Sequence, residues 1–184
     1  MLKHLINYGC LGMLVVFGFQ SVKLPSVKMP IGVESPAANK NVDILISAII
    51  QQESNRQYNL VNQDSGALGY AQVMPDNVRP WGNEAAKALG DSSLENMTPQ
   101  EYLNSPTKQN KVIRFKIGQY YKEALKLAKG DTRIAARMVA SAWYSGQMNK
   151  LNDTRRQYSN GQEYPSIYEY TILAEKKAIA LGYK

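Results

Sequence analysis

The clearest hydrophobic pattern in the chain lies between positions 42 and 53 and predicts an amphipathic helix that ends in an acid. Apolar residues recur there at helical spacing, namely Val42, Leu45, Ile46, Ile49 and Ile50. Glu53 falls on the same stripe, three residues after Ile50, so the helix should carry its carboxyl group toward the core. Burial and the negative end of the helix dipole both disfavour the charged form, and both raise the pKa of Glu53. A carboxyl group that stays protonated near neutral pH can donate a proton to a leaving group.

Four further helices are predicted from start and stop signals. The signals are a capping box over Thr98–Glu101, a cap and first-turn proline at Ser105–Pro106, a cap at Asp131 and a last apolar-periodic run over 166–181. The second of these helices should end before Gly130 and the third before Gly146. No stretch of five or more residues alternates cleanly between apolar and polar positions. The predicted fold class is therefore mainly α, with little or no β-sheet.

The residues that follow Glu53 are typical of a pocket wall. An isolated acid at a helix end more often points into solvent, so the acid alone does not indicate a site. Here the helix is expected to end at Ser54. Gly66 and Gly69 allow turns and close backbone approaches that side chains would block. Gln72 can both donate and accept hydrogen bonds. Small and polar residues concentrated after a desolvated acid favour a binding pocket over a surface loop.

The spacing of these residues resembles the signature of the soluble lytic transglycosylases, a lysozyme-like family that cleaves bacterial peptidoglycan. That signature is Glu-Ser, about ten variable residues, Gly-Ala-x-Gly, two residues, Gln, one residue and Met-Pro. The chain supplies Glu53-Ser54, Gly66-Ala67-Leu68-Gly69, Gln72 and Met74-Pro75. With its later elements the resemblance spans roughly residues 41–182. It implies a lysozyme-like helical domain.

Two later blocks correspond to family elements but carry substitutions. The family's Ala-Tyr-Asn-Ala-Gly block corresponds to residues 142–146, where Trp143 replaces an active-site tyrosine and Tyr144 follows it. An indole keeps a flat apolar face but offers only an N–H donor. The family's Glu-Thr-x-x-Tyr-Val run corresponds to a segment in which Tyr170 matches and Ser166 replaces the glutamate.

The resemblance implies a set of substrate-binding residues around Glu53. The gap between Glu53 and Gly66 is one residue longer than in the family, so Asn62 or Gln63 stands in for a serine that contacts substrate. The full set is Ser54, Asn62, Gln63, Tyr70, Gln72, Met74, Trp143, Tyr144 and Tyr170.

Glu53 is implied to be the single general acid and base of the reaction. Glycosidases usually work with two carboxylates, but no second Asp or Glu occupies a matching motif position in this chain. The resemblance implies that the N-acetyl oxygen of the substrate stabilises the anomeric carbon instead. The 6-hydroxyl of N-acetylmuramic acid then closes a 1,6-anhydro ring.

The N-terminal residues predict export. Lys3 precedes an uncharged run from Leu5 to Phe19, which has the length of a signal-peptide core and is short for a membrane span. Residues 1–21 are predicted to be a signal peptide or N-terminal anchor, 22–40 a flexible linker, and 41–184 the transglycosylase domain. The protein is expected in the periplasm or secreted, and an uncleaved signal would tether it to the membrane. Cys10, the only cysteine, lies inside the apolar run and does not suit lipid modification.

Composition fits an envelope protein without selecting its partner. The chain has 184 residues, with 22 Lys and Arg against 15 Asp and Glu, and a net charge of +7. A basic surface attracts polyanions, but no run of Lys and Arg is dense enough to argue for nucleic acid. No metal or other cofactor is predicted, because His4 is the only histidine and lies in the leader. The expected partners are peptidoglycan glycan strands, and the protein is expected to be a monomer.

Alternative functions stay open at this point. Attack by water would make the protein a hydrolase such as a muramidase or a chitinase. Loss of catalysis through Trp143 and Ser166 would leave a wall-binding module. The segment 146–165 is predicted to be a solvated loop, or else a flap with aromatic rings under sugars and arginines near peptide carboxylates. The segment 76–82, with Arg79 and Trp81, is a candidate rim of the same groove.

Overall fold

The computed structural model describes residues 40–159 and 161–184, so the predicted leader and all but the last residue of the predicted linker lie outside the described residues. Within the described ranges the fold is mainly α, as the sequence predicts. The helices are α1 (Lys40–Glu53), α2 (Pro75–Leu89), α3 (Pro99–Leu103), α4 (Pro106–Leu127), α5 (Thr132–Ser145) and α6 (Ile167–Ala180). Short 3-10 helices cover Ser92–Leu94 and Met148–Lys150. Over these same ranges, no helix combines the length and the apolar character needed to cross a membrane.

The predicted helix starts are confirmed in detail. Thr98 and Glu101 form a reciprocal capping box, with the Glu101 amide donating to Thr98 Oγ1 at 3.2 Å and the Thr98 amide donating to Glu101 Oε2 at 2.8 Å. Asp131 caps α5 by accepting a hydrogen bond from the Ile134 amide at 2.9 Å. Ser166 caps α6, so the residue that replaces the family's glutamate satisfies a helix end here.

The candidate rim at residues 76–82 is part of a helix that the sequence analysis missed. Helix α2 starts at Pro75, where a proline costs no hydrogen bond, but Pro80 lies inside it and breaks the usual helical pattern. Gly82 lets the helix approach the residues that follow it closely. A Cβ at this position would lie only 2.7 Å from the carbonyl oxygen of Leu94, so a larger residue would not fit. The close approach buries α2 against the 3-10 segment that follows it.

The reading of residues 146–165 as a plain solvated loop is wrong for part of that segment. Strands β1 (Gln157–Ser159) and β2 (Gln162–Tyr164) form an antiparallel hairpin, in which Tyr158 pairs with Glu163. Strands of three residues are too short to show alternation in the sequence. The hairpin is nevertheless solvated, since the Tyr158 side chain is 71% exposed.

Within the described residues, two large apolar clusters hold most of the helices together, and a third, smaller one joins α5 to α6 through Ala140, Tyr170 and Ala174. Helix α5 packs between α4 and α6, and α1 lies against both α4 and α6. The first cluster contains the predicted stripe of α1, every member of which is buried. The second lies under α2, α3 and α4 and includes Leu94, Met97 and Tyr102. Trp143 packs against both clusters, so it lies where they meet.

Candidate active site

Glu53 is buried, and the alternative in which it turns out into solvent is wrong. It is the last residue of α1 and only 7% exposed. The hydroxyl group of Tyr170, on α6, donates a hydrogen bond to Glu53 Oε1. The preceding residue Gln52, also buried, donates from Nε2 to the backbone oxygen of Tyr170 at 3.2 Å. Two consecutive residues of α1 therefore fix Tyr170 beside the carboxyl group.

Tyr170 is itself held by an aromatic neighbour. Its ring stacks on the ring of Tyr144, with centroids 4.3 Å apart and an interplanar angle of 11°. The Tyr144 hydroxyl donates to the backbone oxygen of Pro165 at 2.9 Å, which ties α5 to the residues just before α6. Tyr144 thus supports Tyr170 from the side, and Tyr170 is the tyrosine that reaches Glu53.

The environment of Glu53 acts on its two protonation states in opposite ways. Burial penalises the ionised carboxylate, whereas a hydroxyl group that donates to the carboxyl oxygen stabilises it. The burial and the Tyr170 hydrogen bond therefore act on different protonation states of the same carboxyl group. A group that exchanges a proton during a reaction needs both states within reach.

The Gly-containing segment predicted from the sequence folds directly over the end of α1. Ser54 Oγ donates to the backbone oxygen of Tyr70 at 2.6 Å, which joins the helix end to this segment. Leu68 and Val73 exchange backbone hydrogen bonds of 2.9 and 3.0 Å, so the residues between them form a tight reversal. Ser54 is 4% exposed, and its hydroxyl serves this internal contact.

Gln109, a residue that the sequence analysis missed, anchors the reversal from α4. It is fully buried, and its Oε1 accepts a hydrogen bond from the Tyr70 amide at 2.9 Å. Its Nε2 points at the backbone oxygens of Tyr58, Tyr102 and Leu103, at 2.8, 3.1 and 3.1 Å. Gly69 is required beside it, because a Cβ there would lie 2.6 Å from Gln109 Cδ. The available signal was that Gln109 falls four residues before Ile113, on the stripe that α4 buries.

Trp143 is placed next to the reversal, but its only hydrogen-bond donor is used inside the protein. Its Nε1 donates to the backbone oxygen of Ala71 at 3.0 Å. Its ring lies 5.5 Å from that of Trp81, the aromatic residue of the candidate rim. The indole therefore fixes the reversal in place, and its N–H group is used by this contact.

Gln72 presents an unused acceptor within the reversal. Its backbone has a φ of +51°, and its Nε2 donates to the Gly69 oxygen at 3.0 Å. Its Oε1 is buried and accepts no hydrogen bond from any residue within the described ranges. Met74 follows as the residue before α2 and is 44% exposed. Of these two side chains, Met74 is the one whose exposed surface a ligand can reach.

The remaining predicted site residues lie at the outer turn of the segment. Asn62 Oδ1 accepts from the amides of Asp64 and Ser65, both at 2.9 Å, so its oxygen stabilises its own turn. Gln63 is exposed and donates to the Val61 oxygen at 3.3 Å. Neither contact supports a role for Asn62 or Gln63 in place of the family's serine.

Four hydrogen bonds thus involve the predicted residues: Trp143 to Ala71, Gln72 to Gly69, Ser54 to Tyr70, and Tyr170 to the Glu53 carboxyl. In the part of the chain that the structure describes, no three His, Cys, Asp or Glu side chains are grouped so as to hold a metal ion. No protein-family model, curated protein or solved structure matches the chain.

Proposed function

We propose that the chain is a peptidoglycan lytic transglycosylase with a lysozyme-like domain, which acts in the cell envelope with Glu53 as its single general acid and base. The observation that carries the proposal is the buried carboxyl of Glu53 with the Tyr170 hydroxyl bonded to it. Burying an ionisable group is costly, and such groups concentrate at functional sites. The reaction class comes from the resemblance of the motif around Glu53 to the soluble lytic transglycosylases.

In the proposed first step Glu53, protonated, gives its proton to the oxygen between N-acetylmuramic acid and N-acetylglucosamine. The bond from that oxygen to the anomeric carbon breaks, and the N-acetyl oxygen of the substrate stabilises that carbon. In the second step ionised Glu53 takes the proton of the muramoyl 6-hydroxyl while this oxygen bonds to the anomeric carbon. Glu53 carries its proton again at the end, so the reaction needs neither a water molecule nor a second carboxylate.

Two neighbours have distinct parts in this scheme. Tyr170 donates to the carboxyl group, which stabilises Glu53 while it is ionised between the two steps. The resemblance implies that Gln72 orients the sugar. Both side chains are thereby positioning groups, and Glu53 alone exchanges protons with the substrate.

The test replaces Glu53 by Gln and measures the release of soluble fragments from purified peptidoglycan. Loss of a general acid–base should lower the rate by about 100-fold or more. Glu123→Gln on α4 is the matched control, because Glu123 is an exposed acid and its replacement should leave the rate unchanged. Full activity of the Glu53→Gln protein would mean that another residue performs the chemistry.

Mass spectrometry of the wild-type products decides among the functions that the sequence left open. Fragments with 1,6-anhydro ends are one water molecule lighter than fragments with reducing ends. Reducing ends would make the protein a hydrolase. Binding to sacculi without any soluble product would make it a wall-binding module.

A further inference from the structure

A second polar site lies where the hairpin segment meets the start of α6. It is a cleft of about 300 Å³ lined by Lys150, Asp153, Arg155, Arg156, Gln157 and Ile167. That volume is at the lower end of small-molecule sites and suits a single side-chain-sized group. Ile167 is the first residue of α6, so the positive end of the helix dipole adds to the cations of the cleft.

The cleft is held in shape by its own hydrogen bonds. The backbone oxygen of Asp153 accepts a hydrogen bond from the Tyr168 amide at 2.9 Å, which fixes the segment against α6. From α5, Arg137 donates to the Leu151 oxygen at 2.8 Å and so fixes the residues that lead into the cleft. Hydrogen bonds from Arg155, helped by the charge of Lys150, hold the pKa of the Asp153 carboxyl well below its usual range. Asp153 is therefore ionised at neutral pH and orients the Arg155 guanidinium.

The cleft has N–H donors that remain available to an anion. Arg155 binds Asp153 through Nε and Nη2, at 2.9 and 2.5 Å, which leaves the two N–H groups of Nη1 for another acceptor. Within the described ranges Lys150 lies within ion-pairing distance of no carboxylate. Arg156 is already occupied, since Glu163 and Glu169 each lie 3.2 Å from it.

The balance of charge decides what kind of anion fits. The three cations are offset by Asp153 and by the two glutamates on Arg156, so the formal charge of the region is close to zero. Such a region exerts little long-range attraction on a highly charged polymer. It favours instead a single carboxylate that accepts short, charge-assisted hydrogen bonds from Lys150 and Arg155.

The cleft and the Glu53 site share helix α6, because Ile167 lines the cleft and Tyr170 donates to Glu53. Ile167 and Tyr170 are three residues apart, which is about 4.5 Å along a helix axis and nearly the same helix face. We propose that the cleft binds a carboxylate of the peptide attached to N-acetylmuramic acid, on the same strand that Glu53 cleaves. This inference rests on the proposed function. A carboxylate on the second residue of such a peptide lies within about 7 Å of its attachment point, which exceeds the rise of about 4.5 Å between Ile167 and Tyr170 along the helix axis.

The experiment compares two substrates, glycan strands that keep their peptides and strands stripped of peptides by an amidase. Lys150→Gln in the full chain should lower kcat/KM on peptide-bearing strands by about 3- to 10-fold, the worth of one charge-assisted contact. It should leave kcat/KM on stripped strands unchanged. Lys176→Gln, which removes an exposed lysine near the other end of α6, is the control and should change neither value.

Equal loss on both substrates, or no loss on either, would overturn the carboxylate site and leave the lytic activity standing. A binding arm separates the two proposals further, because it needs no cleavage. A free acidic stem tetrapeptide, titrated into the Glu53→Gln protein, should shift the amide signals of residues 150–157, and Lys150→Gln should abolish those shifts. Absence of the shifts overturns the inference even if the strands are cleaved. Shifts without cleavage by the wild type would support the cleft and refute the proposed function.

Discussion

Replacing Gln109 tests whether the site depends on one buried amide. Gln109 is fully buried on α4, and its side chain reaches four backbone groups, those of Tyr58, Tyr70, Tyr102 and Leu103. Gln109→Leu keeps much of the volume and removes every polar contact. The backbone groups then lose this partner, although the Tyr102 oxygen keeps the Ser105 amide at 3.2 Å. A buried group left unpaired is the costly way to lose a hydrogen bond.

The size of the effect follows from counting the contacts. The Nε2 group has two hydrogen atoms for three nearby oxygens, so the side chain makes about three full hydrogen bonds in all. Each buried group left unsatisfied costs about 1–3 kcal/mol, while a leucine returns part of this as apolar burial. We expect Gln109→Leu to lower the free energy of unfolding by about 3–5 kcal/mol.

Urea denaturation of the protein, followed by circular dichroism, measures this change. Gln119→Leu is the matched control, because Gln119 lies on the same helix but is exposed, and its replacement should stay within about 0.5 kcal/mol of wild type. Under conditions where the Gln109→Leu protein is fully folded, peptidoglycan cleavage should still fall, since the reversal at Tyr70 has lost its anchor. A loss of stability below about 1 kcal/mol would refute the reasoning, because the contacts would then be worth no more than one ordinary hydrogen bond.

Two further predictions concern the glycine of the reversal and the pH dependence of stability. Gly69→Ala should destabilise the protein by about 2–4 kcal/mol in urea denaturation, because the alanine strains a φ of +70° and its Cβ displaces Gln109. Gly90→Ala is the control. Gly90 has a φ of +65° but open space around it, so this change should cost only about 1 kcal/mol. The hydrogen bond from Lys111, with those from Ser93, lowers the pKa of Asp91 from 3.8 to about 2, so its contribution is complete above pH 4 and is lost as the pH falls toward 2. After allowance for solvent screening this contribution is about 1 kcal/mol, and stability measured between pH 5 and pH 2 should fall by that much more in wild type than in Asp91→Asn. Parallel pH curves for the two proteins would contradict this assignment.

The helices were predictable where the sequence carries local signals. The capping box at Thr98 and the cap at Asp131 work within four residues of chain, so they can be read without knowing the fold. Helix α2 was not predictable in this way. Its interior Pro80 argues against a helix locally, and the packing of Gly82 against Leu94 that compensates depends on a contact between separate elements.

The same distinction separates the parts of the candidate site. The burial of Glu53 followed from the stripe of α1, because helical periodicity places it on the same face as Ile49 and Ile50. The partner of its carboxyl group did not follow from the residues around it, since Tyr170 lies 117 positions away in the chain. Only the resemblance placed Tyr170 near the site.

Trp143 shows that the effect of a substitution in a motif cannot be predicted from the chemistry of the residue alone. An indole in place of a phenol loses a hydroxyl group, and on that ground the sequence left a weakened active site open. In the structure the indole N–H holds the backbone of Ala71, and the Tyr170 hydroxyl reaches the Glu53 carboxyl. The hydrogen bond to Glu53 is therefore made without a hydroxyl group at position 143. Trp143 instead holds the backbone of the reversal at Ala71, as Gln109 holds it at Tyr70. The effects of substitutions at Trp143 and Gln109 should therefore be compared with each other when the site is altered.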